Sequence, residues 1–348
     1  MEREPPARTR AAEKRSKLDA WRHLNAHPAV NLRAPLPWRT DLEDVWCGHL
    51  VQGRRALTEV VCTADGRRLA VEEKGKPEGD PVFLLHGTPG SRVGPCPRAS
   101  VLYRLGVRLI CFDRPGYGRS DRLIGRSVAT AADDVAAIAD ALGLERFSVV
   151  GRSGGGPHAL ACAALLPDRV MRVAVLVGLA PHAAEGLDWF GGMTESNITE
   201  FTVALAGRSH FADWLAPTAR EIRTDPGSLI NGLYAELPEV DRRMVANPGV
   251  RAMLLENYAE ALRHSADGWI DDAIAFCSPW GFDPSAIVAP TLFWHGEQDR
   301  FVPIGHSRWL AARIRQAIMR VESEAAHFGA LAALPDLLPW LMNGATTC

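Results

Sequence analysis

The stretch VVGRSGGG, residues 149–156, decides the fold because it joins two buried elements of different kinds. The apolar run before it, Phe147–Val150, is typical of a buried strand, and the apolar run after it, Pro157–Leu166, is typical of a buried helix. The two outer glycines of the G-x-S-x-G pattern leave room for a sharp turn. We therefore predict a strand–turn–helix unit that exposes Ser153 at the strand's end as a nucleophile.

Short apolar runs alternate with helical patterns on both sides of this unit. The other predicted strands are Leu57–Cys62, Arg68–Glu73, Pro81–Leu85, Val107–Phe112, Val170–Leu179, Thr291–His295 and Ile318–Val321. Apolar residues at helical spacing predict an amphipathic helix that ends at Gly143, and a further helix around His306–Arg315. Asp65-Gly66 predicts a hairpin between the first two strands. This alternation predicts an α/β fold with a parallel sheet covered on both faces.

One long interval breaks the alternation. Between Pro181 and Pro290 the sequence has helical patterns, little strand signal and many aromatic residues: Trp189, Phe190, Phe201, Phe211, Trp214, Tyr234, Tyr258 and Trp269. Long structureless loops are rare in compact domains, so we predict a helical subdomain at 182–285. The core is then 56–181 and 286–348. Residues 1–55, rich in Pro and Arg, are expected to be an N-terminal extension.

Composition excludes several classes of function. The chain has 348 residues, 47% of them apolar, and a net charge of −2, which gives no overall attraction for nucleic acid. No apolar stretch is long enough to span a membrane, and the start lacks the apolar core of a secretory signal. The seven cysteines are scattered and never form C-x-x-C, which argues against disulfides and zinc. We expect a cytoplasmic protein that acts on a small molecule, with its oligomeric state open.

The chemistry of acyl transfer needs donors for an oxyanion. The backbone N–H of Gly154 follows the nucleophile, and HGTPG at residues 86–90 follows an earlier predicted strand. Thr88 would supply the second N–H, although a simple turn is the alternative interpretation of residues 86–90. The rival for a Gly-rich strand-to-helix turn is a phosphate loop, but no Gly-Lys-Ser/Thr follows and no G-x-G-x-x-G begins there.

A base and an acid should follow the serine along the chain. His327 comes just after the last predicted strand, which is the expected place for the base. Glu297 and Asp299 both follow the preceding strand, and we favour Asp299 as the acid that orients the imidazole. His295, Glu297 and Asp299 also alternate like metal ligands, but the glycine turn among them argues against a shared face. We therefore expect no metal and no cofactor.

As a set, these motifs resemble the α/β-hydrolase superfamily over about residues 57–342. They are HGTPG at 86–90, DRPGYGRSD at 113–121, GRSGG at 151–155, HGEQD at 295–299, and His327. The resemblance implies an α/β-hydrolase fold, with a mostly parallel eight-stranded sheet, helices on both faces and a helical cap inserted after the sixth strand. It implies a Ser153–Asp299–His327 triad with Thr88 and Gly154 at the oxyanion.

Three features set limits on the resemblance. The serine excludes the epoxide-hydrolase and dehalogenase branches, which carry Asp at the position of Ser153. Gly154 stands where many relatives carry a larger side chain, so we expect more room near the oxyanion. The N-terminal extension has no counterpart in the family pattern.

The expected activity is hydrolysis of a carboxylic ester of a small, mostly apolar molecule through an acyl-enzyme. The aromatic residues of the insertion would either roof its pocket or form the insertion's own core. Three alternatives remain open. A proline-iminopeptidase-like aminopeptidase would hold a substrate amine with Glu195, Glu200 or Glu256. A carbon–carbon bond hydrolase, lyase or cyclase would use the same triad, and a non-catalytic protein would only bind its ligand.

Overall fold

The computed structural model describes residues 59–343, so the predicted extension at 1–55 lies outside the described residues. The described strands form one eight-stranded sheet. They are β1 (Glu59–Cys62), β2 (Arg68–Gly75), β3 (Asp80–Leu85), β4 (Val107–Phe112), β5 (Phe147–Arg152), β6 (Val170–Leu176), β7 (Thr291–Gly296) and β8 (Ala317–Glu322). Their order is β1-β2-β4-β3-β5-β6-β7-β8. The mostly parallel sheet predicted from the sequence is confirmed.

Two of the strand pairs are antiparallel, and both involve β2. This strand pairs with β1 across the predicted hairpin and with β4 on its other side. Gly66 lies in the hairpin turn with φ of 85°, a conformation that glycine adopts without strain. The remaining neighbours are parallel, so the strands from β3 to β8 all end at the same edge of the sheet.

The described helices follow the alternation over most of the chain. They are α1 (Ala99–Leu105), α2 (Thr130–Ala141), α3 (Gly155–Leu165), α4 (Glu195–Leu205), α5 (Arg208–Thr224), α6 (Gly227–Leu233), α7 (Glu239–Ala246), α8 (Pro248–Ala261), α9 (Asp267–Cys277), α10 (Gly305–Ala311) and α11 (Gly329–Asn343). A short 3-10 turn, Pro284–Ala286, precedes β7. None of these helices is long and apolar enough to cross a membrane.

Both faces of the sheet are buried, which explains why its strands read as continuous apolar runs. Side chains alternate between the faces along each strand. In β3, Phe83 and Leu85 pack in the core that includes α2 and α3. Val82 and Leu84 pack in the opposite core, which includes α1 and α11. The helices therefore cover both faces of the sheet, as predicted.

Six helices, α4 to α9, lie between β6 and β7, where the sequence predicted a helical insertion. Their buried side chains supply most of a separate hydrophobic cluster that includes Phe211, Leu215, Val250 and Leu254. These helices and the carboxyl ends of the parallel strands enclose the candidate site.

Candidate active site

Ser153 lies at the turn between β5 and α3, and the predicted strand–turn–helix unit is present. Its φ is 53°, the left-handed region that residues other than glycine rarely occupy. A Cβ at Gly151 would overlap the carbonyl of Gly155, and one at Gly155 would overlap the carbonyl of Leu85. Both glycines are therefore required by close packing of the turn. The strained backbone presents the serine hydroxyl at the end of the strand.

The structure brings Ser153, Asp299 and His327 together. Asp299 follows β7, and His327 lies between β8 and α11. Nε2 of His327 lies 3.1 Å from Oγ of Ser153, and Nδ1 of His327 lies 2.8 Å from Oδ2 of Asp299. Glu297, the alternative acid, is exposed. The three side chains therefore form a continuous hydrogen-bonded series that can relay a proton from the hydroxyl to the imidazole.

The charge on Asp299 favours transfer of the Ser153 proton to His327. Burial alone would raise the pKa of Asp299, but the charge of His327 and hydrogen bonds from His295 and His327 outweigh it and lower the pKa. The second carboxylate oxygen, Oδ1, accepts from the backbone N–H of Phe301 at 2.8 Å and of Val302 at 3.0 Å. Asp299 thus stays ionised and accepts the Nδ1 proton.

The pKa of His327 is shifted in the opposite direction to that of Asp299. Burial lowers its pKa, but the Asp299 carboxylate outweighs burial and the net shift is upward. Asp241, on α7, adds to the upward shift. Its carboxylate is buried and accepts from the backbone N–H of Phe328 at 2.9 Å. The sequence analysis did not single out Asp241, which lies 86 positions before the histidine (327 − 241 = 86).

Thr88 and Gly154 are the residues predicted to supply the oxyanion donors. Both line the same cavity as Ser153 and His327. Within residues 59–343, the backbone N–H groups of Thr88 and Gly154 donate to no protein acceptor. Gly154 also directly precedes α3, whose N-terminus favours negative charge. Two available donors beside a serine hydroxyl can stabilise an oxyanion.

The expectation of extra room at Gly154 is wrong. A Cβ at Gly154 would overlap the side chain of Thr88, and it would lie 3.1 Å from the ring of Phe276. The space that a larger residue would fill is therefore already occupied by the threonine. Glycine at this position is what lets residues 86–90 approach the nucleophile turn.

A buried charge network holds this approach in place, and the sequence analysis missed it. Asp272, on α9, is fully buried. Its carboxylate accepts from Nη1 of Arg114 at 2.7 Å, from Nη2 of Arg126 at 2.6 Å and from the Tyr117 hydroxyl at 2.7 Å. It also accepts from the hydroxyl of Thr88 at 2.5 Å. The predicted DRPGYGRSD segment, residues 113–121, contains two of these donors, but no local pattern identified their acid.

His86 supports the same loop without taking part in the proton relay. Its Nε2 accepts from the backbone N–H of Arg114 at 3.1 Å, which leaves the proton on Nδ1 for the carbonyl of Gly87 at 2.8 Å. Burial, followed by the charge of Arg114, lowers its pKa well below the usual value. His86 is therefore a neutral positioning residue.

The candidate site opens into a cavity of about 480 Å³, a size typical of small-molecule sites. Its aromatic and large aliphatic lining includes Phe201, Trp214, Leu215, Leu229, Leu254, Tyr258, Trp269, Phe276 and Phe301. Both interpretations of the insertion's aromatic residues are therefore partly right. Phe201, Trp214, Tyr258 and Trp269 line the cavity, Trp189 and Phe211 are buried in hydrophobic cores, and Tyr234 is exposed.

Only some of the carboxylates that an aminopeptidase would need to hold a substrate amine line the cavity. The described residues that line the cavity include Glu195 and Glu200 but not Glu256. Glu200 accepts from Nε1 of Trp269 at 2.7 Å, and burial raises its pKa to about 7. For metals, no group of three His, Cys, Asp or Glu ligands occurs among residues 59–343. His295 instead contacts Ser307 at 2.8 Å and the carbonyl of Val302 at 2.7 Å.

Comparison with known proteins identifies the family of this chain. The model of the alpha/beta hydrolase fold family matches residues 80–333. The chain is 29% identical over 270 residues to 2-hydroxymuconate semialdehyde hydrolase of Pseudomonas putida, covering 76% of this chain and 86% of that protein. It is 30% identical over 275 residues to 2-hydroxy-6-oxo-6-phenylhexa-2,4-dienoate hydrolase of Comamonas testosteroni, covering 72% and 82%.

Solved structures add support for the fold. A thermophilic esterase from Thermogutta terrifontis superposes with a TM-score of 0.59 at 22% identity, over 83% of this chain and all of that one. An esterase from Exiguobacterium antarcticum superposes with a TM-score of 0.57 at 22% identity, over 81% of this chain and 98% of that one. The family match extends over more than half of the chain and includes β3 to β8. This chain therefore belongs to the α/β-hydrolase family of enzymes.

Proposed function

We propose that the protein is a serine hydrolase that cleaves a carboxylic ester of a small, mostly apolar molecule through an acyl-enzyme. One observation carries the proposal. The hydrogen-bonded series of Ser153, His327 and Asp299 opens into the same cavity as the available N–H groups of Thr88 and Gly154. Nucleophile, base and oxyanion donors are the parts that acyl transfer requires.

In the proposed mechanism, His327 accepts the Ser153 proton on Nε2 while Oγ attacks the ester carbonyl. The oxyanion accepts hydrogen bonds from Thr88 and Gly154. His327 then returns the proton to the leaving alcohol, and Asp299 stabilises the imidazolium throughout. A water molecule, activated by the same imidazole, cleaves the acyl-enzyme and restores the serine.

We further propose that residues 182–285 act as a helical cap on a core of residues 56–181 and 286–348. Two observations support this division. The six helices between β6 and β7 have their own hydrophobic cluster, which indicates a separately packed unit. Phe201 and Trp214 of these helices line the cavity beside Ser153. The cap would thus shape the pocket for the substrate's apolar part.

Carbon–carbon bond hydrolysis is the second candidate. The relatives from Pseudomonas putida and Comamonas testosteroni are named as hydrolases of a muconate semialdehyde and of a phenylhexadienoate. Such a reaction would use the same serine, base and cavity. It differs in the bond that breaks, so activity on a vinylogous 1,5-diketone with none on simple esters would favour it.

The test is hydrolysis of p-nitrophenyl acyl esters of increasing chain length by the full chain. We expect Ser153→Ala and His327→Ala to lower kcat by about 10⁴-fold or more, because members of such a triad act as a unit. Ser323→Ala and His264→Ala, at exposed positions, are the matched controls and should retain wild-type rates. Ester turnover that survives Ser153→Ala within tenfold would contradict the proposal.

A further inference from the structure

Arg152 occupies the variable position of the G-x-S-x-G pattern, at the end of β5 and next to the nucleophile. It lines the cavity beside Ser153 and His327. Among the described residues that line this cavity, it is the only lysine or arginine. The proposed reaction does not use it. A permanent positive charge beside the reacting serine therefore needs its own explanation.

The guanidinium of Arg152, a half-buried residue, lacks the acidic partner that the buried arginines have. Arg92 and Arg114 each form an ion pair with a buried aspartate. Arg152 has none within residues 59–343, where its one hydrogen bond joins Nη1 to the carbonyl of Pro95 at 3.4 Å. A guanidinium carries five N–H donors, so most of the donors of Arg152 have no acceptor within residues 59–343.

The ionisable groups around Arg152 do not neutralise it either. Its charge interacts with Tyr258, Cys96 and Cys111. It also opposes the upward shift in the pKa of His327. Burial raises the pKa of Tyr258 to about 12 and raises the pKa of Cys111 as well, so both are neutral near pH 7. Cys96 accepts from Nζ of Lys74 at 3.2 Å. Burial lowers the pKa of Arg152 to about 10, so its guanidinium stays charged at neutral pH.

Two further donors line the same cavity as this charge, and one of them, Tyr258, interacts with it electrostatically. Tyr258 and Asn257 both line the cavity. Oδ1 of Asn257 accepts from the backbone N–H of Ser91 at 2.9 Å, which fixes the amide. The hydrogen bonds of Asn257 to Ser91 involve its oxygens, and neither its amide nitrogen nor the Tyr258 hydroxyl donates to another residue within 59–343. The cluster thus offers donors and positive charge without an anion.

We propose that Arg152, with Tyr258 and Asn257, is a binding site for a carboxylate of the substrate. Arg152 is half-buried and has no acidic partner within residues 59–343, and a bound carboxylate would supply one. The planar guanidinium suits the two oxygens of a carboxylate. Arg152 lines the same cavity as Ser153 and its charge opposes the upward shift in the pKa of His327, so the carboxylate would lie a few bonds from the scissile carbonyl. The substrate is then a monoester of a short dicarboxylic acid, with its apolar part in the rest of the cavity.

This inference rests on the proposed ester hydrolysis, so its test uses matched pairs of substrates. We would measure kcat/KM for monoethyl and diethyl succinate, glutarate and adipate in a pH-stat, with p-nitrophenyl butyrate as a neutral reference. The wild-type protein should prefer the monoethyl ester of at least one acid by about tenfold or more. Arg152→Gln should lower that ratio by about 30-fold, as expected for truncation of one partner of a buried charge pair.

Controls separate a binding role from a structural one. Arg146→Gln removes an exposed arginine just before β5 and should leave the monoethyl-to-diethyl ratio within twofold of the wild type. Arg152→Gln should fold and keep or raise Tm, because no protein ion pair is lost. If it instead lowers Tm and reduces turnover of both esters equally, Arg152 is a structural residue and the inference is overturned.

A binding measurement separates this inference from the proposed function. Monoethyl ester should raise the Tm of the Ser153→Ala protein and leave that of the Ser153→Ala/Arg152→Gln protein unchanged. This result in the absence of any ester turnover by the wild-type protein would retain the carboxylate site and refute ester hydrolysis. If the protein instead hydrolyses both neutral and anionic esters, and Arg152→Gln leaves the monoethyl-to-diethyl ratio of kcat/KM unchanged, ester hydrolysis is retained and the carboxylate site is refuted.

Discussion

Replacing Asp272 with asparagine tests the buried charge network directly. The carboxylate is fully buried and pairs with two guanidinium groups, those of Arg114 and Arg126. It also accepts from the hydroxyls of Tyr117 and Thr88. Asparagine keeps the shape of the side chain but removes the charge and turns one acceptor into a donor. The two buried arginines then have no neutralising group at this position.

The expected loss of stability is large for a substitution that conserves volume. Removing one partner of a buried ion pair costs about 3–5 kcal/mol, against a total free energy of unfolding of about 5–15 kcal/mol. With a urea m-value of about 3 kcal/mol/M, the unfolding midpoint should fall by about 1–1.7 M. The loss should lower ester turnover too, because the same carboxylate holds the Thr88 side chain.

Urea denaturation followed by tryptophan fluorescence measures this midpoint, with Asp140→Asn as the matched control. Asp140 also pairs with an arginine, Arg169 at 2.8 Å, but its side chain is 69% exposed. An exposed pair contributes about 0–1 kcal/mol, so the control should lie close to the wild type. A loss below about 1 kcal/mol for Asp272→Asn would refute the reasoning, since the buried charges would then not depend on one another.

The stabilisation provided by Asp272 should depend on pH and should be lost at low pH. Burial would raise the pKa of Asp272, but the charges of Arg114 and Arg126 outweigh it and hold the pKa well below its usual value. The stabilisation is therefore complete above the unfolded-state pKa of about 3.9 and is lost as the pH falls through the folded pKa. The difference in unfolding midpoint between wild type and Asp272→Asn should narrow below about pH 4. A difference that stays constant down to pH 2 would contradict this account.

Three further predictions concern the candidate site. Asp299→Asn should lower kcat by about 10⁴-fold, because asparagine no longer holds the imidazole in the tautomer protonated on Nδ1. Glu297→Gln is the control and should match the wild type in the same ester assay. The pH profile of kcat/KM should rise through the pKa of His327, above its usual value of about 6.5, and Asp241→Asn should move the midpoint lower because a negative charge is removed. Gly154→Ala should reduce kcat by about 10²-fold or more through displacement of the oxyanion donors, and a wild-type rate would place the oxyanion elsewhere.

Much of the fold could be predicted because local patterns decide it. The apolar runs that predicted strands coincide with β2 to β8 within a few residues, since strands buried on both faces have continuous apolar sequence. Two helices were missed. The helix α11 contains Pro335 and Pro339, which argue locally against a helix, but its leucines pack against the sheet and stabilise it. The short α1 has too few turns for a periodic pattern.

The three triad residues could be proposed because each follows a predicted strand. Parallel strands bring their carboxyl ends to one edge, so residues 153, 299 and 327 meet although they are far apart in sequence. The same reasoning could not reveal Asp241 or Asp272, which lie on inserted helices rather than at strand ends. Their roles depend on how those helices pack.

The sequence by itself determined the strand-to-helix turn at Ser153, the mostly parallel sheet and the positions of the candidate base and acid. These features depend on local sterics and apolar periodicity, which involve only residues close together in the sequence. Only the tertiary structure decided that Thr88 fills the space at Gly154 and that Asp272 binds residues more than 140 positions away. It also decided that Arg152 is left without an acid among the described residues. These contacts join side chains that are distant in the sequence, and the packing of the helices against the sheet decides which of them meet.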